Sequence, residues 1–259
     1  MKPERAIEGV EAPLLRPEEP PETADAAAAT DEYALRFAGA TGAWMLSVQT
    51  DAILRMLAGA EARTVLDVGG GHAQITPPVL AAGYRVTGLV SRHSSLIRLR
   101  NAVGDDPAHT LLEGDLMALP FPDRSFDAVV SVRAMAHVRS WPAFVSELCR
   151  VSRGSVIVDF ASADGVGKVG RKLFGLKRAV ERSTRPYTII PPAEVASAFA
   201  REGFDVTATV GQFVLPLVCH RILRRPRISA ALERALRPVA GAFGNPVILN
   251  ATRRGAAPP

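Results

Sequence analysis

Five apolar segments alternate along the chain with segments of helical periodicity, and this alternation most constrains the fold. The apolar segments are rich in β-branched residues and lack polar alternation, as strands buried on both faces require. Repeated strand and helix units imply a parallel sheet with helices on both faces. The predicted strands are Thr64–Val68, Tyr84–Val90, Thr110–Leu112, Phe126–Val132 and Ser155–Phe160, with helices at Ile75–Ala82, Ser94–Val103 and Pro142–Val151.

Two further strands are predicted near the C-terminus, in the stretches DVTATVGQFV and NPVILNATRR. A clear helix, PPAEVASAFAREGF, begins at Pro192 and precedes them. We therefore predict an α/β fold with a Rossmann-like, doubly wound, mostly parallel sheet of seven strands. In such sheets, ligands bind outside the carboxyl ends of the strands.

The chain of 259 residues is long enough for one sizeable domain with appendages. Residues 1–30 are dominated by Pro, Glu and Ala and are predicted to form a flexible acidic arm. Residues 31–259 are predicted to form a single domain. Within it we expect a helical lid (31–62), a ligand-binding half (63–163), and a basic insert with the last strands (164–259).

Charge is distributed unevenly along the sequence. Residues 1–32 carry a net charge of −6, residues 33–164 are balanced, and residues 165–259 carry +11. Such a basic region can attract nucleic acid, anionic lipid or an anionic small substrate, or it can simply be a solvated surface. We leave these interpretations open at this point.

The first residues contain no secretory signal, and no later window is long and apolar enough to span a bilayer, so a cytoplasmic location is expected. Cys149 and Cys219 lie in apolar or helical surroundings without CxxC or Cys/His spacing. We therefore expect buried free thiols and no metal site.

The stretch TVLDVGGGHAQI (64–75) ends a predicted strand with a carboxylate and three glycines. Glycines in such a turn allow positive φ and close approach of a ligand to backbone N–H groups. The stretch lacks the third glycine of a dinucleotide fingerprint, because Gln74 stands there. It also lacks the Gly-Lys-Ser/Thr ending of a P-loop, so both nucleotide interpretations are disfavoured.

Asp67, two residues before the first glycine, would repel a pyrophosphate but can pair with a cationic ligand. This arrangement resembles motif I of the class I S-adenosylmethionine-dependent methyltransferases, which is acidic-x-Gly-x-Gly-x-Gly. Asp67, Gly69 and Gly71 match the motif, and Ala73 stands at its third glycine. The resemblance implies S-adenosyl-L-methionine as cofactor, bound by Asp67 and by the loop that Gly69, Gly70 and Gly71 form.

The resemblance extends through EGDLMALPFPDRSFDAVVSVRAMAHV, residues 113–138, which is similar to the UbiE-like, or type 11, branch of these enzymes. By that likeness, Asp115 binds the adenine amino group and Leu116 packs on the base. Asp127 is instead expected to form structural hydrogen bonds at the entrance of a strand.

A carboxylate that commonly binds the ribose hydroxyls at the end of the second strand is missing, because Val90 occupies that position. Ser91 is predicted to replace it with one neutral hydrogen bond, which would weaken affinity by about 5- to 150-fold. The alternative is that the protein keeps the fold but binds another ligand or none.

His137 follows the fourth strand and is a candidate general base, since its imidazole has a suitable unperturbed pKa. A helix-capping or backbone-binding role is the alternative. Arg133 could line the cofactor or an acceptor carboxylate, or form a salt bridge. Among the aromatic residues before the first strand, Trp44 is our candidate for substrate contact.

Basic residues alternate with apolar ones over residues 165–185, as in an amphipathic helix that caps an acceptor, contacts an anionic membrane or is merely solvated. We predict a methyltransferase that acts on a small metabolite, with anionic and lipid-linked acceptors both open. The alternatives are a non-catalytic binding module of the same fold and, less favoured, a nucleic-acid methyltransferase. No interleaved aromatic platform or Asn-Pro-Pro-Tyr-like motif supports the last alternative.

Overall fold

A computed structural model of the protein describes residues 22–60, 62–164 and 188–255. The order of the main sheet is β3-β2-β1-β4-β5-β8-β7, and a short strand, β6, pairs with β5 outside this path. The strands are β1 Thr64–Val68, β2 Arg85–Val90, β3 His109–Glu113, β4 Phe126–Ser131, β5 Ser152–Ser162, β6 Ile189–Ile190, β7 Phe204–Gly211 and β8 Val247–Arg253.

Strands β1 to β5 pair in parallel, whereas β8 runs antiparallel to both β5 and β7. The fold prediction is therefore confirmed, with seven strands in the continuous path and β6 as an addition. Strand β5 begins earlier than predicted because its pairing with β4 shifts by one residue between Phe126 and Ala128.

Helices cover both faces of the sheet. They are α1 Asp31–Leu35, α2 Gly39–Ala58, α3 Thr76–Ala81, α4 His93–Val103, α5 Trp141–Val151, α6 Pro192–Arg201, α7 Leu217–Leu223, α8 Pro226–Leu236 and α9 Ala240–Phe243. Several begin with proline in the first turn, where the missing N–H would have no partner. Within the described residues, no helix has both the length and the apolar composition needed to cross a bilayer.

Alternation along β1 directs its side chains to opposite faces of the sheet. Leu66 and Val68 join the apolar cluster that contains Phe144 of α5, whereas Val65 joins the cluster beneath α2. Asp67 shares the parity of Val65 and meets Thr76 at the start of α3. The predicted ligand carboxylate therefore lies on the face of the sheet that α2 and α3 cover.

The segment before β1 forms two helices, with a break at residues 36–38, before Gly39. Gly42 lies within α2. A Cβ at that position would lie 2.0 Å from the Phe37 carbonyl oxygen, so the helix requires glycine there.

Three other expectations are corrected or lie outside the described residues. Cys149 is buried as predicted, but Cys219 is exposed on α7. Of the predicted acidic arm, residues 22–30 pack against the sheet instead of projecting from it. The predicted amphipathic membrane contact at 165–185 lies outside the described residues.

Candidate cofactor-binding site

The glycine loop joins the carboxyl end of β1 to α3, next to the point where the strand order reverses around β1. Gly69 has a φ of 77°, which favours glycine, and a Cβ on Gly70 would lie 2.5 Å from Asp67 Oδ2. Ala73, at the third glycine position of the motif, adopts a φ of 59°. The loop therefore keeps the glycine-type backbone even where the sequence departs from the motif.

Asp67 is buried at the end of β1, with 1% of its surface exposed. The Thr76 hydroxyl donates to its Oδ2 at 2.6 Å. Burial raises the pKa of Asp67 to about 6, and the hydrogen bond from Thr76 opposes the rise only in part. A carboxylate held in this state is well suited to a cationic partner, whose charge would offset the cost of desolvation.

Asp115 and Leu116 follow β3 at the same edge of the sheet. Asp115 Oδ1 accepts a hydrogen bond from the backbone N–H of Met117 at 2.9 Å, which fixes the carboxylate beside the loop. Leu116 is fully buried in the core cluster, and its side chain approaches the position of a Cβ on Gly69. The two residues that the resemblance assigns to adenine therefore border the glycine loop.

The end of β2 carries no carboxylate of its own. Val90 is fully buried in an apolar cluster with Leu96 and Leu99 of α4. Ser91, which is 7% exposed, donates its backbone N–H at 3.1 Å and its hydroxyl to the carboxylate of Asp25. A carboxylate does lie at the predicted ribose position, but it comes from the N-terminal segment.

Residues 22–29, here called the N-terminal segment, fill the groove between these groups. The Glu22 N–H donates to Asp115 Oδ1 at 3.2 Å, and Ala24 packs in the same cluster as Leu116. The Asp25 carbonyl oxygen lies 3.0 Å from where a Cβ on Gly71 would be. Asp25 is 1% exposed and Glu22 is 7% exposed.

The sequence did not predict that Glu22 and Asp25 lie at this site, because they belong to an acidic stretch without periodicity. The one signal for them was the missing acid at Val90.

The carboxylate of Glu22 is held by backbone donors. It accepts from the Arg139 N–H at 2.8 Å and from the Thr23 N–H at 2.8 Å. The Arg139 side chain also approaches it, with Nε at 3.6 Å. These contacts anchor the segment to the loop that follows β4.

Arg133 is held by contacts with β5 and α2, and its predicted role beside the cofactor or an acceptor stays a prediction. Its N–H donates to Asp159 Oδ1 at 2.6 Å, and its side chain donates to Gln49 Oε1 at 3.0 Å. Burial raises the pKa of Asp159, while Arg133 and Gln49 oppose the rise. The guanidinium lies 4.1 Å over the Phe37 ring. Arg133 thus ties β4, β5 and α2 together on the side away from Asp115.

His72 lies in the glycine loop between two aromatic rings. Its ring centroid is 5.5 Å from that of Tyr33 and 5.6 Å from that of Phe37. Neither ring nitrogen has a hydrogen-bond partner among the described residues. Burial and the charges of Arg133 and Arg98 lower the pKa of His72 to about 4, so the imidazole is neutral at pH 7.

Trp44 lies on α2 but faces the C-terminal helices. Its ring centroid is 5.5 Å from that of Phe213 and 5.2 Å from that of His220. Tyr33 and Phe37, not Trp44, are the aromatic residues before β1 that contact His72 of the glycine loop. His137 ends a single 3-10 turn after β4, where it is half-buried. The roles of Trp44 and His137 stay predictions.

Asp127 has the structural role that its position predicts. Its Oδ2 accepts from the backbone N–H groups of Arg63 and Thr64, at 3.0 and 2.9 Å. These bonds, with the nearby charge of Arg153, lower the pKa of Asp127 despite its partial burial. The carboxylate therefore joins the entrances of β1 and β4, at the edge opposite the groove.

Comparisons with known proteins find one matching family model and similar solved structures. Residues 66–158 match a family model described as a methyltransferase domain. The fold is similar to that of a magnesium protoporphyrin IX methyltransferase from Synechocystis, solved with bound SAH. That match has a TM-score of 0.61 at 17% identity, over 86% of this chain and 93% of the other.

Two curated relatives each match little more than a third of this chain. A 2-methyl-6-phytyl-1,4-hydroquinone methyltransferase from Synechocystis sp. is 37% identical over 99 residues, which are 37% of this chain and 30% of that protein. A phosphatidylethanolamine N-methyltransferase from Cereibacter sphaeroides is 35% identical over 99 residues, 36% of this chain and 48% of that protein. This chain spans less than half the length of both.

The fold is thus that of the class I methyltransferases, and the segment from β1 to β5 matches a methyltransferase domain. The resemblance that Asp67, the glycine loop and residues 113–138 predict to the UbiE-like branch is confirmed.

Proposed function

We propose that the protein transfers a methyl group from S-adenosylmethionine to a small acceptor molecule. The observation that carries this proposal is the convergence of Asp67, the glycine loop and Asp115 on one groove at the carboxyl edge of the sheet. The groove has carboxylates at both ends and an apolar wall at Leu116 between them.

The residues present fit the cofactor. Asp67 would pair with the α-amino group of the cofactor, since a cation there offsets the desolvation that raises the pKa of Asp67 to about 6. The glycine loop offers backbone that a Cβ at Gly70 or Gly71 would obstruct. Asp115 would accept from the adenine amino group, and Leu116 would pack on the ring. When bound, the cofactor supplies a methyl group on a positively charged sulfur.

Transfer from a sulfonium is an in-line displacement, so the contribution of the chain is mainly to position the two reactants. His137, half-buried after β4, would accept a proton where the acceptor must lose one. Arg133, Tyr33 and Phe37 enclose His72 on the opposite side of the loop. We place the acceptor on that side, beneath α2.

The acceptor proposed is apolar or lipid-linked. The two curated relatives are named for a phytyl hydroquinone and for phosphatidylethanolamine. The rings of Tyr33 and Phe37 beside a neutral His72 would suit an apolar acceptor here.

A second candidate function is a non-catalytic module of the same fold. Two observations favour it: Val90 supplies no ribose carboxylate, and the N-terminal segment fills the groove. The enzyme and the non-catalytic module would both bind the cofactor in this groove, but only the enzyme would transfer the methyl group.

Calorimetric titration with S-adenosylhomocysteine tests the shared groove. We expect saturable binding, and at least a tenfold loss of affinity in Asp115→Ala because the adenine acceptor is removed. The matched control is Asp123→Ala, which removes a carboxylate 74% exposed in the following turn and should leave affinity unchanged. No heat at millimolar ligand would refute both candidates.

Turnover separates enzyme from module. Methyl transfer from labelled cofactor to a panel of quinols and phospholipids should give product with the wild-type protein. His137→Ala should lower kcat, and most strongly at low pH, where a replacement base in solution is scarce. Cofactor binding without product on any acceptor would favour the module.

A further inference from the structure

Helix α8 presents apolar side chains to solvent. Ile228 is 45% exposed and Leu232 is 42% exposed, and Ala231 and Ala235 are also on the exposed side. Residues three, four and seven apart share one face of a helix, so these four form a continuous stripe. A helix that packs on a core normally turns such a stripe inward.

Two polar residues of the same helix, Glu233 and Ser229, face inward. Glu233 accepts from the backbone N–H groups of Val214 and Leu215, at 2.9 and 3.0 Å, and its Oε1 lies 2.9 Å from His220 Nε2. Ser229 is fully buried. The orientation of α8 is therefore fixed by its carboxylate, and this orientation requires the apolar stripe to face outward.

Neighbouring residues enlarge the stripe into what we call the outer face, residues 217–243. Large apolar side chains that are at least 42% exposed occur along its whole length, at Ile222, Ile228, Leu232, Val239 and Phe243. Exposed apolar groups concentrated in one region mark an interaction site more reliably than scattered ones.

The outer face is also strongly basic. It contains six arginines, at 221, 224, 225, 227, 234 and 237, and Glu233 is its one acidic residue. Because Glu233 faces inward, the exposed part of this region combines apolar groups with positive charge. Arginine can extend its head group to water or phosphate while its stem covers apolar surface.

We propose that the outer face binds an anionic lipid surface. Apolar groups would enter the acyl boundary, and the flanking arginines would contact lipid phosphates. The contacts of α7 place this face next to the groove: His220 packs on Trp44, and Arg221 lies 5.8 Å from the Phe37 ring, which touches His72. A docked protein would thus hold the glycine loop close to the membrane.

Co-sedimentation with vesicles tests this proposal on the full chain. Phosphatidylcholine vesicles with one quarter phosphatidylglycerol should bind the protein, and pure phosphatidylcholine should bind it less. Ile228→Ser with Leu232→Ser should lower partitioning by about tenfold or more. Arg227→Gln with Arg234→Gln should remove most of the preference for anionic vesicles, by about fivefold per residue.

Ile97→Ser is the matched control, because Ile97 is 48% exposed on α4, outside the outer face. It should leave partitioning unchanged. The proposal is overturned if the wild-type protein does not bind anionic vesicles at low salt, or if Ile97→Ser lowers binding as much as Ile228→Ser with Leu232→Ser. It is also overturned if the outer face instead forms a dimer that Ile228→Ser with Leu232→Ser dissociates.

A separate observation concerns the N-terminal segment. It contacts the residues that the resemblance assigns to the cofactor. The Asp25 carboxylate accepts hydrogen bonds from the N–H and the hydroxyl of Ser91, and the Glu22 N–H donates to Asp115. Ala24 packs in the same cluster as Leu116. Val90 fits this arrangement, because an acid there would place a second carboxylate near that of Asp25. Like charges at such close range are destabilising.

We infer that the N-terminal segment competes with the cofactor for the groove and must leave before the cofactor binds. This inference rests on the proposed function. Apparent affinity falls by the fraction of molecules whose groove is open, so weakening the segment should tighten binding. Removing the Asp25 carboxylate eliminates both hydrogen bonds to Ser91.

Titration of Asp25→Ala with S-adenosylhomocysteine should give an affinity at least about fivefold tighter than that of the wild-type protein. Glu32→Ala, which removes an exposed carboxylate from α1, is the control and should change nothing. In the absence of ligand, amide exchange at Ser91 should be faster in Asp25→Ala and unchanged in Glu32→Ala.

Weaker binding by Asp25→Ala would mean that Asp25 serves as the ribose acceptor, and unchanged binding would mean that the segment does not compete. Either result overturns this inference and leaves the proposed function intact. If neither the wild-type protein nor Asp25→Ala binds the ligand, both this inference and the proposed function are overturned. This holds even if amide exchange at Ser91 is faster in Asp25→Ala.

Discussion

The N-terminal segment and helix α8 contrast sharply in what they bury. The segment places the carboxylates of Glu22 and Asp25 inside the protein, at 7% and 1% exposure. Helix α8 leaves Ile228 and Leu232 in solvent. Both arrangements reverse the usual distribution, in which charged groups are exposed and aliphatic groups are buried.

The difference shows what each region lacks. Buried carboxylates need donors. The groove supplies Ser91 and Arg139, and Thr23 of the segment itself adds a backbone N–H to Glu22. The side chains of Ile228 and Leu232 remain in contact with water instead. The N-terminal segment thus finds hydrogen-bond donors for its buried carboxylates within the protein, whereas the membrane contact that we propose would cover the apolar groups of α8.

The largest effect that would sharpen this comparison is expected at Asp67, a groove carboxylate that accepts a hydrogen bond from the Thr76 hydroxyl at the start of α3. Its pKa in the folded protein, about 6, exceeds the ordinary value of 3.8. Protonation of Asp67 therefore favours folding, and this stability, about 3 kcal/mol, is present below pH 4 and is lost as the pH rises through 6. Asp67→Asn should raise the free energy of unfolding at pH 7 and flatten that loss, as measured by urea denaturation across pH.

Asp127→Asn gives the opposite sign and controls for the chemistry of the substitution. The pKa of Asp127 is lowered, so its ionised form stabilises the fold above the unfolded value and that stability is lost as the pH falls through the folded value. A decrease in stability for Asp67→Asn at pH 7 would contradict the account of the groove.

An intermediate effect is expected at Glu233, which fixes the orientation of α8. Glu233→Ala removes the acceptor for two backbone N–H groups and for His220, and should cost about 2 kcal/mol in the free energy of unfolding. Arg234→Ala, one residue along on the exposed side, should stay within about 0.5 kcal/mol of the wild-type value. Equal losses in the two variants would mean that Glu233 does not hold the helix.

The smallest effect is expected at Leu232. Because its side chain is 42% exposed, Leu232→Ser should change the free energy of unfolding by less than about 0.5 kcal/mol. Thermal denaturation without vesicles measures this directly. A loss of 2 kcal/mol or more would show that Leu232 packs within the fold and would remove it from the outer face.

The sheet and the glycine loop could be predicted because their signals are local. Most of the strands are apolar runs, and β1, β2 and β4 are followed in the chain by helices with their own periodicity. Strand β1 was predicted with its observed bounds, Thr64–Val68, since Asp67 and the glycines mark where it ends. The bonds of Asp127 follow from its place at the entrance of β4 in the same way.

The partners of individual side chains were less predictable. Arg133 was predicted to line the cofactor or an acceptor or to form a salt bridge, and its hydrogen bond to Gln49 of α2, 84 residues away, was not predicted. Trp44 was predicted to contact the substrate, and no periodicity indicated that it packs on His220. Such contacts depend on how separate elements pack, and helical spacing specifies a face without naming its neighbour.

The sequence by itself determined the succession of strands along the chain, the glycine turn and the two carboxylates at Asp67 and Asp115. These features depend on short-range patterning and backbone conformation. The tertiary structure alone decided that Asp25 stands where Val90 supplies no acid, and that α8 turns its apolar side outward. Both results arise from contacts between distant parts of the chain, 66 residues apart for Asp25 and Ser91. At that separation, burial and hydrogen bonding are set by the packed fold, and local composition carries little information about them.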